Sequence, residues 1–168
     1  ARDGFLVRQS LLAAEVVEFL GPEAEQKGVD LGLEPPAESL GLEADRRSVV
    51  DGLTNLVCNA LDAASTKSDG WVRVRLKSTP QELAFEVEDN GPGLEEEAEE
   101  RIFEGFYSSK GASGTGLGLM VTQKHAREHG GRVDYDNRPG QGVTFWLVLP
   151  RRQPDVGADN PERPEEIW

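Results

Sequence analysis

Three stretches of this 168-residue chain carry side chains whose types and spacing could do chemistry. The first reads Asp51-Gly-Leu-Thr-Asn55-Leu-Val-Cys-Asn59-Ala-Leu-Asp62-Ala-Ala. On a helix, Asn55, Asn59 and Asp62 fall on one side, while Val50, Leu53, Leu56, Val57, Ala60 and Leu61 cover the other. A merely solvated face favours Lys, Glu and Arg, so three poor helix formers in register predict a use for their oxygens. The second stretch is Asp89-Asn-Gly91-Pro-Gly93. A carboxylate at a strand end can accept a hydrogen bond from a ligand amine, and glycines beside it let a flat ring approach the backbone. A plain tight turn is the competing reading. The third is Gly114-Thr115-Gly116-Leu117-Gly118-Leu119, just ahead of the helical run 120–129. Bare N–H groups and a helix start make an anion site, most often for phosphate. A structural loop competes with that reading too.

These stretches need elements to hold them. Residues 11–26 show helical spacing, with Gly21-Pro22 as a predicted end and 23–27 as an added turn. Residues 29–33 and 40–43 read as short strands on either side of Pro35-Pro36. Asp45 is a predicted N-cap for a helix running to about residue 65. Segments 71–78 and 82–88 alternate apolar and polar residues around a turn, which predicts a hairpin leading into Asp89. Residues 95–102 read as a short acidic helix. An aromatic loop follows, with Phe103, Phe106 and Tyr107 as anchors and Lys110 as a candidate phosphate contact. Gly130-Gly131 is expected to close the next helix, and 132–135 and 143–149 read as strands. The first ten residues carry no clear signal, and 151–168 is expected to be a disordered acidic tail.

Composition narrows the classes. The net charge of −13 argues against nucleic acid or an anionic membrane as partner, and requires local donors at any phosphate site. No stretch reaches the ~18–20 apolar residues that span a bilayer, and no signal-peptide pattern opens the chain. The single cysteine, Cys58, excludes an internal disulfide and is expected to pack in the core.

In their order and spacing these stretches resemble the catalytic, ATP-binding domain of bacterial sensor histidine kinases, within the GHKL superfamily. Residues 55–63 resemble the N box, 89–93 the G1 box, 103–106 the F box and 114–119 the G2 box. The closing Gly140-Gln-Gly142-Val-Thr144-Phe145 is similar to the family's last-strand motif. The likeness covers roughly residues 10–150, leaving 1–10 as a linker from a missing upstream domain. It implies an α/β two-layer sandwich of the Bergerat type, with a mixed, mostly antiparallel sheet and helices on one face.

The resemblance also implies roles. Asn59 would ligate Mg²⁺, a hard cation that takes oxygen ligands and substrate phosphates. Asp89 would accept from the adenine amino group, supported by Thr144, in a pocket shaped by Gly91 and Gly93. Residues Gly114, Thr115, Gly116, Leu117, Gly118 and Leu119 would line the ATP phosphates, with Phe103 and Phe106 anchoring a short lid. Asp62 and Lys110 are further implied contacts. The form Asn59-Ala-Leu-Asp62-Ala departs from the Asn-Ala-x-Lys-Tyr of many sensor kinases and is closer to nitrogen-regulation and dicarboxylate-sensing kinases. Gyrases, MutL proteins and the large heat-shock chaperones carry a glutamate base where this chain has Asn55. An amide takes no proton at neutral pH, so transfer to an imidazole is expected in place of efficient hydrolysis.

The expected activity is that of a protein histidine kinase: γ-phosphoryl donation to a histidine on a separate dimerisation domain, then to a response regulator receiver domain. His125 and His129 both lie in the helix after the G2 box, and His129, in a His-Gly-Gly ending, is read as structural. The domain is expected to be monomeric and cytoplasmic, on its own or as part of a membrane-anchored sensor. A non-catalytic nucleotide-binding module and an anti-sigma-type protein serine kinase are the alternatives.

Overall fold

The structure is a computed structural model and describes residues 5–34, 41–104 and 118–151. The expected tail at 152–168 lies outside them. A five-stranded sheet has the order β2-β4-β5-β7-β6, built from β2 (Asp30–Leu33), β4 (Trp71–Ser78), β5 (Glu82–Asp89), β7 (Gly142–Pro150) and β6 (Arg132–Arg138). Among the described residues only the β2–β4 pairing is parallel. A separate antiparallel ribbon joins β1 (Phe5–Arg8) to β3 (Gly41–Ala44). The mixed, mostly antiparallel sheet is the one expected.

Alternation along the strands decides which face is covered. On β5, Leu83, Phe85, Val87 and Asp89 are buried, while Glu82, Ala84, Glu86 and Glu88 between them are half-buried. Helix α2 (Arg46–Ala64) lies over β4, β5 and β7, with α1 (Gln9–Gln26) toward β2 and α4 (Gly118–Glu128) toward β6. The other face carries charge of both signs: Arg75 meets Glu34, Glu86 and Glu88, and Arg138 meets Glu88 and Asp136.

Several local expectations hold. Asp45 caps α2, accepting from the Arg47 N–H at 3.2 Å and the Ser48 hydroxyl at 3.0 Å. The hairpin β4–β5, the short helix α3 (Glu96–Arg101) and the Gly130 stop after α4 lie where the sequence puts them. In the first turn of α2, Val49 is buried and Val50 only half-buried.

Three differ. Helix α1 runs through Pro22 to Gln26 instead of ending at Gly21. An internal proline costs about 3 kcal/mol, and burial of Leu20 and Ala24 on either side of the exposed Pro22 offsets it. Residues 5–10 carry no clear signal in the sequence, yet the structure gives them elements. They make β1 and the start of α1, where the buried Gln9 amide donates to the Ala84 carbonyl at 2.9 Å. Cys58 packs against the core as expected but is only half-buried, with its thiol 3.7 Å from a Glu23 carboxylate oxygen.

Candidate functional site

Asp89 ends β5 on the covered face, 3% exposed. The Gly91 N–H donates to its Oδ1 at 2.8 Å. Burial pushes its pKa up to about 6, against the backbone N–H groups of Gly91 and Val143 and the charge of Arg138, with Glu88 adding to the rise. A carboxylate held dry at the end of a strand suits a ligand that brings its own hydrogen-bond donor.

The loop after Asp89 is placed by close backbone approach. A Cβ on Gly91 would lie 2.8 Å from the Ala63 carbonyl oxygen, so this loop can press against α2 only with glycine there. Gly93 has φ +78, and a Cβ on it would meet the Arg138 carbonyl oxygen at 2.8 Å. Both glycines answer first to the protein's own backbone.

On α2 the polar row is half-buried as a unit. The Asn55 amide donates to the Gly118 carbonyl at 3.4 Å and the Thr122 hydroxyl at 3.3 Å, which ties the row to the first turn of α4. Asn59 stands one turn further along, and its amide oxygen can serve a magnesium ion that takes its other ligands from phosphates and water. Asp62 pairs with Lys27, the C-cap residue of α1. Helices α1 and α2 run in step here, since Glu23 reaches Cys58 and Lys27 reaches Asp62 one turn on. The Asp62 carboxylate holds the Lys27 ammonium above its ordinary pKa, against a smaller effect of burial.

Gly118 and Leu119 open α4 beside Asn55. Phe103 packs edge-on against Tyr135, with ring centroids 6.2 Å apart, and Tyr135 packs on Phe145. Phe106, Lys110, Gly114, Thr115, Gly116 and Leu117 lie outside the described residues. The resemblance has Thr144 supporting the contact between Asp89 and adenine. Thr144 is the register partner of Glu88, not of Asp89, so it shares the sheet's other face. Its hydroxyl accepts from Arg138 at 3.0 Å. Val143 is the β7 residue on the Asp89 side.

Sequence reasoning missed Lys27, Asn90 and Asn137. Asn90 accepts from the Trp71 N–H at 2.7 Å and donates to the Asp69 carbonyl at 3.0 Å, fastening the loop to β4. An asparagine inside a glycine-rich turn reads as turn chemistry, and a lysine at a helix end reads as solvated, so neither stood out. His129 is structural, as expected. It is 2% exposed; its Nδ1–H donates to the His125 carbonyl and its Nε2 accepts from the Asp45 N–H.

A buried carboxylate at a strand end, followed by a loop whose glycine presses on the helix that carries Asn55 and Asn59, defines a class. The model of the histidine kinase-, DNA gyrase B- and HSP90-like ATPases matches residues 44–153, and the chain belongs to that family. Among curated relatives, the sensor histidine kinase MtrB of Mycobacterium tuberculosis is 38% identical over 136 residues, 78% of this chain and 24% of MtrB. The chain thus spans about a quarter of that relative's length. Among solved structures, the catalytic domain of histidine kinase ThkA superposes with a TM-score of 0.77 at 30% identity, over 88% of this chain and 97% of that domain. ThkA has also been solved in complex with the response regulator protein TrrA, with a TM-score of 0.72 at 28% identity, over 87% of this chain and 42% of that one. Full-length ShkA in complex with AMPPNP gives 0.78 at 27% identity, over 93% of this chain and 33% of ShkA. These matches speak to the family, not to its nitrogen-regulation or dicarboxylate branch.

Proposed function

We propose that this domain binds Mg·ATP and donates the γ-phosphoryl group to a histidine of a separate dimerisation domain, from which it passes to an aspartate of a response regulator. The observation that carries the reading is Asp89: a buried carboxylate with raised pKa beside a loop that only glycine can bring against α2. It would accept from the adenine amine. Among the described residues no group of three or more His, Cys, Asp and Glu side chains could hold a metal. That suits a magnesium ion carried largely by phosphates, with Asn59 giving one amide oxygen.

When bound, Mg·ATP supplies an activated phosphoryl group whose charge must be neutralised in flight. The chain's own residues do the rest. Asp89, Gly91 and Gly93 fix the base, Asn55 and Asn59 orient the phosphates, and Asn55 gives water no base. The P–O bond to the β-phosphate breaks, a P–N bond to imidazole forms, and the imidazole proton leaves to solvent. His129 is occupied within the fold, which favours an acceptor on another domain. The names of MtrB, ThkA and ShkA support the kinase reading, and the ThkA–TrrA complex supports a response regulator as downstream partner. No described helix is long and apolar enough to cross a membrane.

The test is calorimetric titration of ATP with and without Mg²⁺, followed by γ-labelled ATP with a histidine-bearing dimerisation domain. Micromolar binding, loss of its Mg²⁺ dependence in Asn59→Ala, and acid-labile label on the acceptor are expected. Absence of ATP binding under both conditions would sink the nucleotide reading. Binding without transfer would leave an interaction module, and acid-stable label on a protein substrate would point to serine.

A further inference from the structure

We propose that Asn137 is a positioning residue for base recognition: its amide holds the loop after Asp89 at the distance that lets the carboxylate read the purine, and ties that loop to α3. The proposal rests on the nucleotide reading above.

Asn137 lies on β6, on the covered face, where β7 has Val143 as its register partner. Its Oδ1 accepts from the Leu94 N–H at 2.7 Å, and its Nδ2 donates to the Leu94 carbonyl at 2.8 Å. One side-chain amide thus makes the two-point pairing that a neighbouring strand would make with the backbone of Leu94. The same Nδ2 also donates to Glu99 Oε2 at 3.1 Å, and the Tyr135 hydroxyl donates to Glu99 Oε1 at 3.3 Å. Two residues earlier in the loop, the Pro92 carbonyl accepts from the Gly140 N–H at 2.6 Å. Residues 91–94 are therefore stretched between α2, through Gly91, and the β6–β7 hairpin, through Pro92 and Leu94. Asn137 also fills the space that a side chain on Gly93 would need, its Oδ1 lying 3.1 Å from that position. The asparagine amide carries its donor and its acceptor on separate atoms of a short stem, which a single hydroxyl cannot do. Serine can satisfy one of the two Leu94 groups, and aspartate would set its charge against both the Leu94 carbonyl and Glu99.

This makes Asn137 an indirect reader. It touches no ligand in this scheme, yet the gap between Asp89 and the loop is set by its two bonds. A merely structural residue would lower stability and weaken all nucleotides alike. A positioning residue for the base must change the discrimination between bases.

The experiment compares ADP with inosine diphosphate, whose purine carries a carbonyl where adenine has the amine. Both are titrated by calorimetry into the wild-type domain and Asn137→Ala at pH 7.5, with melting temperatures recorded. The wild type should prefer ADP. In Asn137→Ala, ADP should weaken about tenfold, the scale of a hydrogen bond lost to misalignment, with inosine diphosphate changing far less. The preference then collapses toward unity. A variant that keeps the wild-type preference overturns the proposal, whatever its melting temperature. If Asn137→Ala does not fold, Asn137→Ser decides by the same ratio: a reduced preference supports the role and an unchanged one removes it. A wild-type domain that binds ADP without preferring it refutes the Asp89–amine contact, and this proposal with it; one that binds neither nucleotide refutes the nucleotide reading itself.

Discussion

The two ends of the proposed nucleotide site are built differently. At the base end, Asp89 is fixed by β5, and the loop after it is fastened on both flanks by side-chain amides, Asn90 to β4 and Asn137 to β6. At the phosphate end, the described groups are half-buried side chains on α2, spaced a turn apart, with the Lys27–Asp62 pair beside them. The physics of the two tasks explains the contrast. Reading a base relies on short, directional hydrogen bonds that fail with small misplacements. Neutralising a polyphosphate relies on charge, which acts over longer distances and tolerates movement.

The sharpest way to break this comparison is Asp89→Asn. The amide keeps an oxygen for the Gly91 N–H but loses the charge. ADP affinity should fall roughly 10- to 100-fold, the scale of hydrogen bonds to charged groups. Stability should move the other way. The folded pKa of about 6 lies above the ordinary 3.8, so the folded state holds this proton more tightly than the unfolded chain. The stabilisation from protonation is full below pH 4 and is lost as pH rises through 6. At neutral pH the buried charge costs about 3 kcal/mol. Asp89→Asn should therefore melt higher than wild type at pH 7.5, and wild-type ADP affinity should decline as pH falls through 6. A variant that binds ADP as well as wild type would end the base-end assignment.

Gly91→Ala comes next and probes packing. Its new methyl would press on the Ala63 backbone, which cannot step aside as a flexible side chain can. Urea unfolding should show a loss of about 1–3 kcal/mol. An unchanged midpoint would mean that the loop does not press on α2.

Lys27→Met tests the other end. It removes the Lys27 cation from beside Asp62 and the amide row, so ADP should weaken several-fold while adenosine, which lacks phosphates, binds as before. The effect is modest because both partners are about one-third exposed. Equal weakening of ADP and adenosine in calorimetry would place Lys27 in the fold and not in the proposed site.

Thr144→Val should change least. The hydroxyl serves Arg138 on the opposite face, so ADP affinity should stay within about twofold, well under the effect of one lost hydrogen bond. A tenfold loss would restore the contact with Asp89 that the strand register denies.

Composition and order of residues carried much of this molecule. The helical row Asn55, Asn59 and Asp62, the hairpin into Asp89 and the cap at Asp45 are all legible, because local periodicity and turn chemistry depend on neighbours a few positions away. Among the described residues, the candidate positions on α2 and at the end of β5 were legible for the same reason. Other features depend on residues far apart in the chain. Helix α1 passes Pro22 because its flanking residues are buried by distant strands and helices. Thr144 and Val143 exchange roles because a one-residue difference in strand register selects the opposite face. Lys27 meets Asp62, and Asn137 meets Leu94, across 35 and 43 residues of chain. The sequence alone determined which groups could do chemistry. Only the tertiary structure decided which of them face one another, because pairing across a sheet or between helices is set by the packing of the whole core.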